Sequence, residues 1–90
     1  MITLKVLFTT YRVIRRELTE DTWGEINHAR ETITLTDKMP KSVEFMTLWH
    51  EALHGVEYHT GLDLGEQTID ILATSIAMIL RDNPDMRLCG

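Results

Sequence analysis

Apolar and polar positions alternate at the start of the chain. Ile2, Leu4, Val6 and Phe8 are separated by Thr3, Lys5 and Leu7, which predicts a strand with the even positions turned inward. Past Thr9 and Thr10, the residues Tyr11, Val13 and Ile14 predict a second short strand. The polar run 17–21 (ELTED) reads as a loop and 23–27 as a third strand. His28 to Glu31 then turns the chain into TITLT, residues 32–36, where Ile33 and Leu35 share one face and three threonines the other. A threonine-rich outer face suits a half-buried or edge strand.

The period changes at residues 37–42 (DKMPKS). Pro40 disfavours a strand, and Ser42 is a good helix N-cap. From Val43 onward Met46, Trp49, Leu53 and Val56 recur at helical spacing, and Gly61 is placed to stop the helix. The short connection 62–65 leads into a second helix over 66–81, with Ile69, Leu72, Ile76 and Leu80 on one stripe. Pro84 biases Asn83 out of the helical region and ends it. Strands followed by two closely joined helices predict the α+β class: a small antiparallel sheet of three to four strands packed against a C-terminal helical hairpin. Residues 1–90 form one domain, without repeats or low-complexity tracts.

Composition narrows the function. Fourteen acids against nine bases give a net charge of −5, which argues against a general nucleic-acid-binding surface. The longest apolar run, ILATSIAMIL, is about half the ~20 residues of a membrane span and reads as a core helix. The opening MITLKVLF has no charged leader followed by an apolar core. The single cysteine, Cys89, cannot form an internal disulfide and fits a reducing compartment. A cytoplasmic protein is expected.

The chemistry concentrates in TLWHEALHGVEYH, residues 47–59, which holds three of the four histidines. A helix turns about 100° per residue, so His50 and His54 point the same way from adjacent turns and can share one zinc ion. Glu51 stands about a quarter turn from the pair, placed to act as a base on a water rather than as a ligand. The metzincin continuation fails, because its glycine and histidine positions hold Glu57 and Thr60. His59 reads as a surface histidine near a helix end. Glu66 and Asp70 share a face of the following helix, which offers Glu66 as third ligand and Asp70 as hydrogen-bond partner of a ligand histidine or as the alternative ligand. Ala73 and Ala77 extend that face and permit a close approach of the two helices. Glu66 also fits the last position of a capping box opened by Asp63.

Residues 47–84, together with GEINHARETITLT upstream, resemble the short zinc-peptidase-like proteins of phages and prophages, distant relatives of the ImmA/IrrE group of gluzincin-type metallopeptidases. The resemblance rests on His50-Glu51-x-x-His54 and on the spacing of Glu66 and Asp70. It implies a minimal zincin-like domain, a Zn2+ cofactor and a peptide or protein substrate. It also implies hydrolysis in which zinc activates water and Glu51 is the general base. No counterpart of the second lobe and DNA-binding segment of larger relatives is expected within residues 1–90.

Beside the resemblance, Tyr58, one turn past His54, is a candidate oxyanion donor or a packed tyrosine near the helix end. The TITLT strand, if at an edge, offers backbone groups to an extended peptide. Two other functions use the same residues differently: a non-catalytic, zinc-stabilised binding module, and an acidic phage-type inhibitor of a host protein.

Overall fold

A computed structural model describes residues 2–19 and 21–86; Cys89 lies outside them. Four strands precede two helices: β1 (Ile2–Val6), β2 (Thr9–Arg16), β3 (Gly24–Asn27), β4 (Thr32–Thr36), α1 (Lys41–Thr60) and α2 (Glu66–Asp82). The class is α+β, with one sheet and a C-terminal helical hairpin, as the change of period predicts.

The sheet is mixed rather than wholly antiparallel. Its order is β1-β2-β4-β3. β1 and β2 form an antiparallel hairpin in which Val6 faces Thr9. β3 passes to the far edge and leaves a slot, and β4 returns antiparallel to β3 and therefore parallel to β2. Sequence neighbours usually pair, and the expectation of an antiparallel sheet followed from that tendency. The same detour overturns the reading of TITLT as an edge or half-buried strand. β4 is an inner strand with all five residues buried. Its threonine face lies between larger neighbours, Thr34 between Ile14 and Glu25 and Thr32 between Arg12 and Asn27. The free edge on that side belongs to β3.

Tyr11, Val13, Ile33, Leu35, Val6 and Met39 build the core with Ala52 of α1. Full burial of an aliphatic or aromatic side chain contributes about 1.5–3 kcal/mol, so Tyr11, Ile33 and Leu35, all at most 1% exposed, dominate. The inward reading of β1 holds for Val6 alone: Leu4 is half-buried, while Ile2 is exposed and Phe8 sits in the turn outside the strand.

α1 starts one residue after Pro40, which takes the N-cap position in place of Ser42; the Pro40 carbonyl accepts the Val43 N–H at 3.0 Å. Gly61 closes the helix with φ 78°, a left-handed conformation that suits glycine. Met46, Trp49, Leu53 and Val56 are only half-buried. The buried positions are Thr47, Glu51, Ala52 and Gly55. The reason is that α1 is packed on two sides, by the sheet and by α2, so no single apolar stripe can serve both. Where the sheet comes closest the helix has glycine: a Cβ on Gly55 would lie 3.2 Å from Val6 Cγ1 and 3.4 Å from Ile26 Cδ1.

α2 packs on α1 alone. Its buried line is Ile69, Ala73 and Ala77, so the close approach read from the alanines is present, while Leu72 is exposed and Ile76 and Leu80 are half-buried. No helix among the described residues is long and apolar enough to cross a membrane.

Candidate metal centre

His50 and His54 project from adjacent turns of α1 at the rim of its buried side, with side chains 21% and 24% exposed. Their Nε2 atoms are 3.2 Å apart. Glu66, the first residue of α2, reaches both rings: Oε1 lies 2.8 Å from His54 Nε2 and Oε2 3.4 Å from His50 Nε2. The three donor atoms fall within 4.8 Å of one another. Glu66 makes no capping box. The N-cap is Gly65, without a side-chain cap bond, and the Glu66 carboxylate is turned toward the histidines.

The outward nitrogens are fixed by carboxylates. His50 Nδ1 donates to Asp70 Oδ1 at 2.8 Å, and His54 Nδ1 donates to Glu57 Oε1 at 2.9 Å. An ionised carboxylate only accepts, so a neutral ring that keeps its proton on Nδ1 presents an Nε2 lone pair to the centre. Three acceptors then face one another. A proton on one ring satisfies one contact and leaves another unmatched, whereas a single cation between them satisfies all three. Tetrahedral zinc with bonds of about 2.0–2.1 Å spaces its ligand atoms about 3.3 Å apart. The Nε2 atoms, 3.2 Å apart, and the two Glu66 oxygens, 3.4 and 2.8 Å from them, are spaced on that scale. His50, His54 and Glu66 thus fit zinc, and Asp70 is engaged as the partner of His50.

Glu57 carries a role that spacing alone did not reveal. It lies three residues after His54, and its second oxygen accepts the N–H groups of Leu64 at 2.6 Å and Gly65 at 3.4 Å. These bonds, Leu64's first, hold its pKa below the ordinary carboxylate value. One side chain thus orients a histidine and ties down the loop that delivers Glu66. The signal in the sequence was an acid at i+3 from a histidine, too common to single out.

Glu51 is 7% exposed and has no hydrogen-bond partner among the described residues. It lies under β3: a Cβ on Gly24 would stand 3.3 Å from Glu51 Cγ and 3.0 Å from Thr47 Cγ2. The missing side chain at Gly24 therefore lets the edge strand pass directly over the glutamate. Burial raises the Glu51 pKa, against the opposing effect of His50 and His54. Two open recesses, about 490 and 630 Å³, meet at Gly24, His50 and Glu51 and form one groove along β3.

Tyr58 lines the second recess, 62% exposed, with its ring stacked on His28 at a centroid distance of 3.9 Å. His28, in the turn after β3, stands far from the other histidines along the chain, so spacing does not connect it with them. His59 is not a free surface histidine. Its Nε2 lies 2.9 Å from the buried Tyr11 hydroxyl, which also contacts His28 Nδ1 at 3.1 Å. The hydroxyl donates to one ring and accepts from the other, and so pins the end of α1 and the turn after β3 to β2. Burial, then the nearby His59 and His54, lower the pKa of His28. Comparison of the chain with protein-family models, curated proteins and solved structures found no match.

Proposed function

We propose that the protein is a zinc-dependent metallopeptidase of gluzincin type on a minimal zincin-like fold, with His50, His54 and Glu66 as ligands and Glu51 as general base. The observation that carries this reading is the convergence of three lone-pair donors beside Glu51, which opens into the same groove. A bound zinc ion would polarise a peptide carbonyl as a Lewis acid and bring the pKa of a water down toward neutrality. Glu51 takes a proton from the attacking water and passes it to the leaving amine. Burial suits it to this exchange by bringing its proton affinity closer to that of the groups it serves. Asp70 and Glu57 keep both Nε2 atoms turned inward. Tyr58 is the candidate donor to the developing oxyanion.

The substrate-holding strand is β3, not TITLT, because β4 is interior. Thr36 N–H bonds to Trp23 O at 2.9 Å, and the alternation of an antiparallel ladder leaves the main-chain groups of Gly24 and Ile26 on the free edge. An extended peptide adding there runs past Glu51 and the histidines.

A zinc-stabilised binding module would use the same three ligands. It gives no task to Glu51, which opens into the groove beside the histidines, and this favours catalysis. The reading of an acidic inhibitor draws on net charge alone. Glu51→Gln separates the first two. The variant is expected to keep its zinc and its fold and to lose cleavage by at least about a hundredfold, measured by metal analysis and peptide hydrolysis. Undiminished hydrolysis in a clean preparation would remove Glu51 from the mechanism.

A further inference from the structure

The groove has a chemical bias at its Trp23 end. The recess there is walled by Asp21, Trp23, Met46, Asp70 and Ala73, and is continuous with the catalytic recess. None of the nine Lys and Arg residues is among the described residues lining either recess. Most of the acids along the groove are already engaged. Asp70, Glu57 and Glu66 contact histidines, and Glu25 lies 3.2 Å from Arg16. Asp21 is exposed and has no ion-pair partner among the described residues, and the indole of Trp23, two residues on, is 46% exposed. Glu51 lines this recess as well as the one beside the histidines, so a side chain held there belongs to a peptide lying at the proposed centre.

An aromatic face beside a free carboxylate, with no competing cation in the wall, suits a guanidinium or ammonium group. The ring offers a cation–π contact, the carboxylate an ion pair, and Met46 and Ala73 an apolar floor for the methylene stem. We propose that this recess is a subsite for a lysine or arginine side chain of an extended peptide lying along β3, so that the substrates are basic near the scissile bond. This rests on the peptidase reading above and adds the substrate class to it. The acidic surface, with net charge −5, also attracts such peptides at a distance and speeds their capture at low salt.

The test uses zinc-loaded Glu51→Gln protein and labelled peptides that differ at one position, with Lys, Arg, norleucine or Glu scanned along the sequence. Binding is read by fluorescence anisotropy. Lys and Arg are expected to bind about tenfold tighter than norleucine at one position, the scale of a cation–π contact plus an exposed ion pair, with Glu weakest. The preference is expected to shrink in salt and to vanish on adding Asp21→Asn and Trp23→Ala, with zinc content and circular dichroism unchanged. Equal binding of norleucine and Lys at every position, absence of binding by all peptides, or a preference that survives the double change overturns the subsite. The two proposals fail separately. Wild-type cleavage indifferent to charge removes the subsite and leaves the peptidase; charge-selective binding without any wild-type cleavage does the reverse.

Discussion

The two sides of α1 are held by different physics. Toward the sheet, Ala52 meets a core that includes Tyr11, Ile33 and Leu35, and Gly55 approaches Val6 and Ile26 without an intervening side chain. Toward α2, the buried line is Ile69 and two alanines, and the N-terminal end of the contact is polar, made by His50 with Asp70 and His54 with Glu66. The first interface fixes His50, Glu51 and His54 relative to β3. The second carries the remaining proposed ligand across a line of one isoleucine and two alanines. Dispersion and burial scale with the apolar atoms brought together, so each alanine of the hairpin line contributes less than Tyr11, Ile33 or Leu35, and whatever fills the polar end adds to it.

The contrast breaks first on the sheet side. Ile33→Ala removes a fully buried side chain from the inner strand and is expected to cost about 2–5 kcal/mol. Since a small domain has about 5–15 kcal/mol in all, urea denaturation is expected to show a strongly lowered midpoint in the metal-free and zinc-loaded protein alike. A loss confined to the metal-free protein would mean that the sheet interface is not the main support.

The hairpin side is expected to respond to zinc. At free zinc of about 100 times Kd, binding to the native state alone adds about 2.7 kcal/mol, or roughly 10–20 °C in Tm for a domain of this size. Glu66→Ala is expected to abolish most of that rise. Asp70→Ala is expected to reduce zinc affinity about 10- to 100-fold, as for a residue that orients a ligand, which at the same free zinc leaves about 1.4 to 0.4 kcal/mol of the rise. A larger loss from Asp70→Ala than from Glu66→Ala would exchange their roles.

The same contrast explains what was legible in the sequence. The site was readable where it follows from periodicity within one helix. His50, Glu51 and His54 are fixed relative to one another by helical geometry alone, and Glu66 and Asp70 likewise. What escaped depends on contacts distant along the chain. The slot between β2 and β3 that receives β4 leaves no mark in a pattern of alternation. For that reason TITLT looked like an edge and GEIN, residues 24–27, did not attract notice as the strand over Glu51. Gly55 and Gly24 mattered for the side chains they lack, which only the neighbouring elements make evident. His28 and Tyr11 belong to the site's surroundings through a bond between residues seventeen apart in sequence.

Tyr11→Phe probes how the sheet side reaches the groove. Removing the hydroxyl leaves the ring packed but frees His28 and His59 together. The expected cost is about 1 kcal/mol, seen as a modest fall in the urea midpoint, with zinc affinity unchanged because neither histidine is among the proposed ligands. A fall in zinc affinity comparable to that of Asp70→Ala would show that the Tyr11 cluster positions the metal ligands as well as the end of α1.

The smallest effect expected lies at the opposite end of α1. Glu44, in the first turn, pairs with Arg15 of β2. That hydrogen bond is the main reason its pKa lies below the ordinary 4.5. A carboxylate whose pKa is lower folded than unfolded contributes stability in full above the unfolded value and loses it as pH falls through the folded one. Arg15 stays charged throughout. The stability difference between the wild type and Glu44→Gln is therefore expected to be small and constant from about pH 7 to 5. Below that range it is expected to fade toward zero, and at neutral pH to shrink in added salt. Urea titrations of both proteins without zinc measure it. Because this ion pair closes the sheet side and lies away from the polar end of the hairpin, Glu44→Gln is expected to leave zinc affinity unaltered. A change in zinc affinity would mean that tension at the sheet interface is transmitted along α1 to His50, and that the two sides of the helix are not independent supports.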